Sequence, residues 1–83
     1  MKKIGILALQ GNYYAHAKQL QKLQIAWQFV LKPKDLQQVD GLVIPGGEST
    51  ALLRLLHFQQ LDTAIVAFAL QGYPIFGTSA GMI

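Results

Sequence analysis

The sequence contains no cysteine, so the chain can form neither a disulfide framework nor a zinc site with cysteine ligands. Acidic residues are scarce: four Asp and Glu stand against seven Lys and Arg, which gives a net charge of +3. The basic residues are scattered along the chain, and no nucleic-acid-binding motif accompanies them. We therefore expect solvated helix faces and loop ends, and no nucleic-acid surface.

Long hydrophobic runs are missing as well. The apolar segment after Lys2 and Lys3 stops at Gln10, too early for a signal peptide, and no stretch has the length of a membrane-spanning helix. This pattern predicts a cytoplasmic protein without membrane attachment. Its 83 residues suit one small domain, yet 52% of them are hydrophobic. Such an excess predicts apolar surface that another segment or a partner covers.

Short apolar segments bounded by turn residues predict the strands of a buried parallel sheet. They are residues 4–9, 25–31, 42–44 and 74–78. Between them we expect a helix capped by Asn12, a turn or short helical piece after Pro33, a helix from Thr50 to His57 and a helix capped by Asp62. This alternation predicts an α/β fold, a flavodoxin-like parallel sheet in strand order 2-1-3-4 with helices on both faces.

Helical spacing also predicts which side chains face the sheet. For the first helix the inward set is Tyr13, His16, Ala17, Leu20 and Leu23. For the last helix it is Ile65, Phe68 and Ala69, with Gly72 at the C-terminal end.

Unusual segments follow three of the predicted strands. They are Leu9-Gln10-Gly11, Pro45-Gly46-Gly47-Glu48-Ser49-Thr50 and Gly77-Thr78-Ser79-Ala80-Gly81. Ligands of doubly wound sheets bind beyond the carboxyl ends of the strands. If neighbouring strands carry these segments, all three converge on one crevice.

The last segment fits G-x-S-x-G, in which a sharp strand-to-helix turn exposes Ser79 and the backbone N–H of Ala80 faces an oxyanion. A simple tight turn is the alternative interpretation. In the middle segment, Gly46 and Gly47 allow unusual backbone angles that bring N–H groups close to a ligand. The alternative there is a glycine-rich turn that only starts the following helix.

Together these segments resemble the class I glutamine amidotransferases. The stretches that carry the resemblance are Leu9-Gln10-Gly11, Val39-Asp40-Gly41-Leu42, Pro45-Gly46-Gly47-Glu48-Ser49-Thr50 and Phe76-Gly77-Thr78-Ser79-Ala80-Gly81. Their order and spacing are similar in particular to the glutaminase subunits of pyridoxal 5'-phosphate synthase. The resemblance runs from about Lys3 to Ile83, and it implies that residues 1–83 are the N-terminal portion of a single amidotransferase domain that ends after its nucleophile position.

The resemblance implies that L-glutamine is hydrolysed to glutamate and ammonia, and that the ammonia passes to a synthase subunit in a hetero-oligomer. It implies no cofactor and no metal ion in this domain. Carried over position by position, the nucleophile position is Ser79, and the substrate and oxyanion residues are Gly46, Gly47, Glu48, Ala80 and Gln10.

Two departures from the family pattern predict that this chain alone is inactive. The family has cysteine where this chain has Ser79. A thiol is already partly ionised at neutral pH, whereas an alcohol needs a well-placed base to remove its proton. The family's catalytic histidine and glutamate lie far downstream of the nucleophile position in the sequence. His16 and His57 precede Ser79 and suit ordinary helix positions.

Two other functions fit the same residues. One is a serine hydrolase of the α/β-hydrolase kind that uses the G-x-S-x-G elbow at Ser79. The other is a non-catalytic interaction module that self-associates through an exposed sheet edge.

Overall fold

The structure, a computed structural model, describes residues 2–9, 13–46 and 49–77. Its strands are β1 (Lys3–Leu7), β2 (Ala26–Val30), β3 (Gly41–Ile44) and β4 (Ile75–Gly77). Its helices are α1 (Tyr13–Lys22), a 3₁₀ helix (Pro33–Gln38), α2 (Ser49–Phe58) and α3 (Leu61–Leu70). Within these described ranges, no helix has the length and apolar character needed to cross a membrane.

The four strands form one parallel sheet in the order β2-β1-β3-β4. This arrangement confirms the predicted strand order and the α/β class. Strand β1 is paired on both sides, with Ile6 opposite Phe29 of β2 and opposite Val43 of β3. A central strand of a parallel sheet that is covered on both faces places all of its side chains in apolar surroundings, which suits the nearly continuous apolar sequence of β1.

The main hydrophobic core lies on the face of the sheet that the 3₁₀ helix, α2 and α3 cover. Its buried residues are Leu7, Val30, Leu36, Val39, Leu42, Leu56, Leu61 and Phe68. The opposite face carries Ile6, because successive strand residues point to opposite sides. Helix α1 covers that face, where the ring of Tyr13 meets the ring of Phe29 edge-on at 5.4 Å. Helices therefore lie on both faces, as predicted.

Three side chains depart from their predicted places. Leu23 lies beyond the end of α1 and is 59% exposed, because the chain turns at Gln24, whose φ is 60°. Ala69 is exposed although Phe68 is buried. Helix α3 is apolar on almost every side, so hydrophobic spacing does not identify the side that packs.

The third departure concerns Asp62, which does not cap α3. The N-cap is Gln60, in the left-handed region with φ of 60°, and Asp62 lies inside the first helical turn. The fully buried side chain of Leu61 holds the start of the helix instead. Gly72, with φ of +97°, follows the end of α3 as predicted.

Replacing Gly5 with alanine should destabilise the fold. A Cβ atom at Gly5 would lie 2.7 Å from Cγ2 of Val30 and 3.1 Å from Cγ2 of Val39, both buried. Overpacking a well-packed core costs about 1–3 kcal/mol, and we expect a loss of that size in the free energy of unfolding measured with urea. Gly41→Ala is the matched control, since its Cβ would meet the flexible end of Ile4 at 3.3 Å and otherwise make only ordinary contacts with Pro74, at 3.4 Å or more. A Gly41→Ala loss as large as that of Gly5→Ala would contradict this account.

The contact between α2 and α3 should make stability depend on acidic pH. Asp62 Oδ2 lies 3.1 Å from His57 Nδ1, and this hydrogen bond is the main reason that the pKa of Asp62 is lowered from its ordinary value of 3.8. The N–H of Thr63 donates to Asp62 Oδ1 at 2.9 Å and acts in the same direction.

Because the folded pKa is the lower one, this contribution is present above pH 3.8 and is lost as the pH falls through the folded value. Asp62→Asn should therefore reduce the acid dependence of the denaturation midpoint. His57→Gln should act in the same direction but more weakly, because the bond from Thr63 remains. An Asp62→Asn chain that retains the full acid dependence would refute this assignment.

Candidate active site

Three strands end side by side at one edge of the sheet. Strand β3 lies between β1 and β4, with Val43 opposite Ile6 and opposite Phe76, and Ile44 opposite Gly77. Neighbouring strands are about 4.8 Å apart, so the segments that follow β1, β3 and β4 begin within roughly 10 Å of one another. The three unusual segments thus start at the same edge of the sheet, as the sequence predicts.

The central segment links β3 directly to α2. Pro45 is fully buried, Gly46 is half-buried, and α2 begins at Ser49. The first N–H groups of a helix have no partner within the helix and give that end a partial positive charge. The start of α2 therefore brings electropositive backbone to the carboxyl edge of the sheet, where a carboxylate or an oxyanion is favoured.

The two neighbouring strands, β1 and β4, also end at this edge. After β1, the N–H of Ala8 donates to the carbonyl of Val30 at 3.1 Å, Leu9 is half-buried, and α1 begins at Tyr13. After β4, the last described residue is Gly77, which is half-buried. Two helices, α1 and α2, thus begin just past this edge.

Five of the six predicted site residues lie outside the described residues. They are Gln10, Gly47, Glu48, Ser79 and Ala80. Gly46 is described, at the end of β3. The structure therefore locates the strand ends from which the predicted segments leave, while the positions of those five residues remain predictions.

His57 lies far from this edge of the sheet. His57 is in the last turn of α2, about 12 Å along the helix from Ser49, and its exposed side chain contacts Asp62. His16 is half-buried on α1, as predicted. In the described ranges no three His, Asp or Glu side chains lie close enough together to hold a metal ion.

A second concavity, which the sequence did not predict, lies between the 3₁₀ helix and α3. It has a volume of about 650 Å³, and its floor includes Leu36 and Phe68. The ring of Tyr73 stacks on that of Phe68, with 4.7 Å between centroids. Its lining residues Val39 and Tyr73 come just before β3 and β4, whereas Pro33 comes just after β2. Pro33 and Tyr73 are isolated in the sequence, and they were too weak a signal to predict this cleft.

Known proteins match this chain over almost its whole length. The model of the SNO glutamine amidotransferase family matches residues 6–83. The pyridoxal 5'-phosphate synthase subunit PdxT of Thermosipho africanus is 44% identical over 81 residues, which are 98% of this chain and 43% of that protein. The subunit of the same name from Halalkalibacterium halodurans is 46% identical over 83 residues, which are 100% of this chain and 42% of that protein.

Solved structures agree with this. A crystal structure of a glutamine amidotransferase matches with a TM-score of 0.86 and 34% identity, over 94% of this chain and 42% of that one. A peptidase E protein from Listeria monocytogenes matches with a TM-score of 0.77 at 21% identity, over 96% and 47% of the two chains, and this likeness concerns the fold alone.

This chain spans less than half the length of the relatives that it matches. The match to the family model, the identities above 40% and the shared fold nevertheless agree with the motifs at the three strand ends. The chain belongs to the SNO glutamine amidotransferase family.

Proposed function

We propose that this chain is the N-terminal portion of a glutaminase subunit of a cytoplasmic pyridoxal 5'-phosphate synthase. The complete domain hydrolyses L-glutamine to glutamate and ammonia, and the ammonia is used by a synthase subunit. The main support is the common edge at which β1, β3 and β4 end, because the three motif segments leave the sheet there. The match to a glutamine amidotransferase family supports the substrate, and relatives named as subunits of this synthase, at 44% and 46% identity, support the partner.

In this proposal the segments that follow the three strands each supply groups for the reaction. Residue 79 attacks the side-chain carbonyl carbon of glutamine, and the negative oxygen that forms is stabilised by backbone N–H groups of Gly46, Gly47 and Ala80. The C–N bond then breaks as the nitrogen takes a proton and leaves as ammonia. Water cleaves the acyl intermediate and releases glutamate. Glu48 and Gln10 hold the substrate.

Ser79 changes the reactivity of such a site more than its shape. A cysteine thiol ionises near pH 8.5 and so is partly a thiolate at neutral pH, whereas a serine hydroxyl stays protonated until a base removes its proton. His57 is not placed to act as that base, since it contacts Asp62 at the far end of α2. We therefore propose that the chain recognises glutamine but does not turn it over.

A chimeric enzyme tests this proposal. In the Halalkalibacterium halodurans subunit, the region that matches this chain is replaced by residues 1–83, once with Ser79 and once with Ser79→Cys. The cysteine form should release ammonia from L-glutamine when the synthase subunit is present. The serine form should be at least about 10³-fold slower, because the nucleophile is lost while the binding groups remain.

Controls for the chimera are the unaltered relative and the 83-residue chain with Ser79→Cys, which should stay inactive without the rest of the domain. A folded cysteine chimera that fails to hydrolyse glutamine would contradict the proposed function. So would glutamine turnover by the purified 83-residue chain itself.

The serine hydrolase remains the second candidate because Gly77-Thr78-Ser79-Ala80-Gly81 fits its elbow pattern. Labelling of Ser79 by a fluorophosphonate in the serine chimera would favour it over the amidotransferase. A non-catalytic module that self-associates is the third candidate. Its support is the exposed apolar surface of α3 and β4, which includes Val66, Leu70 and Phe76.

A further inference from the structure

The outer side of α1 carries a row of three side chains at four-residue spacing. These are Tyr14, Lys18 and Lys22, and together they are termed the α1 stripe. Residues four apart on a helix lie one above the other on the same side. The opposite side of α1 packs on the sheet through Tyr13 and the buried Ala17. The α1 stripe therefore points away from the core.

The α1 stripe combines an exposed aromatic ring with positive charge. Tyr14 is 61% exposed, and the Nζ atom of Lys18 lies 5.3 Å from the centre of its ring, within cation–π range. Leu23, just past the end of α1, is 59% exposed. The α1 stripe thus presents an aromatic ring and two ammonium groups, and an exposed aliphatic side chain follows just past the end of the helix.

No described carboxylate balances this positive charge. Asp35 accepts hydrogen bonds from the backbone N–H groups of residues 31 and 32, at 3.0 and 3.1 Å. Asp40 accepts one from the N–H of Lys3 at 2.8 Å, and Asp62 contacts His57. The hydrogen-bond partners given above for these three acids all lie outside α1, which has no acidic residue of its own. Protein surfaces that face only water usually mix both signs of charge.

We propose that the α1 stripe is the docking surface for an acidic face of the partner subunit. This inference rests on the proposed function, since the relatives are named as subunits of a synthase. Charge complementarity selects an acidic partner, and the exposed Tyr14 and Leu23 supply the aromatic and apolar contacts typical of a protein interface. A nucleic acid fits less well, because its phosphates are bound by larger sets of Lys and Arg.

Docking on α1 would place the partner near the proposed glutamine site. Helix α1 starts at Tyr13, just past the carboxyl edge at which β1 ends. A partner held on the α1 stripe therefore lies beside the edge where the proposed glutamine crevice opens. Ammonia released there would have a short path to that partner.

Charge reversal tests the inference. The binding of the 83-residue chain to the purified synthase subunit of Halalkalibacterium halodurans is measured by titration calorimetry, with folding checked by circular dichroism. Lys18→Glu/Lys22→Glu should raise the Kd at least about tenfold, because like charges then face each other. Tyr14→Ala should raise it without any change of charge.

The matched control is Lys32→Glu/Lys34→Glu, which makes the same charge change at the start of the 3₁₀ helix, whose Leu36 packs in the main core on the other face of the sheet. It should leave the Kd within about twofold. The inference is overturned if the α1 double variant binds like the unsubstituted chain, or if the control weakens binding equally. Binding to duplex DNA that the α1 substitutions abolish would also overturn it.

The two proposals fail in distinguishable ways. If the unsubstituted chain does not bind the synthase subunit, both the proposed partner and this docking surface are contradicted. If it binds and the α1 variants bind equally well, only the docking surface is contradicted, and the glutaminase assignment stands on the activity of the chimera.

Discussion

Strand β3 pairs in parallel with β1 on one side and with β4 on the other, and the proposed glutamine site depends on this pairing. It aligns three strand ends at one edge, and it fixes where α2 begins. It also places Leu42, which is fully buried, in the centre of the core. The close packing of Val30 and Val39 over Gly5 holds the sheet and its helical layer together at that point.

Much of this architecture could be predicted from the sequence, because each strand is a short apolar run that glycine or proline terminates. The strand order was the expectation for a flavodoxin-like sheet with right-handed crossovers, and the common edge at which three strands end was expected from the unusual segments that follow them. The motifs around Gly46 and Ser79 also carried the family resemblance. Residue types at a given spacing indicate a particular chemistry, which the fold alone does not.

The errors have physical causes that lie outside local sequence rules. Asp62 has the chemistry of an N-cap, but the buried Leu61 and the left-handed Gln60 start α3 before it. Leu23 continues the helical spacing of α1, but the N–H of Ile25 donates to the carbonyl of Leu20 at 3.0 Å and closes the helix first. In both cases a tertiary contact or a backbone turn overrode the local preference.

The central claim is that glutamine is recognised at the carboxyl edge of this sheet, and backbone N–H spectra of an isotope-labelled chain test it most directly. Addition of L-glutamine, with D-glutamine as the control, should shift the N–H signals of Leu9, Gly46 and Gly77. The N–H signals of Lys3 and Ile75, at the amino ends of β1 and β4, should not move. Shifts confined to the amino edge or to the cleft under α3, or no shifts at saturating L-glutamine, would contradict the account.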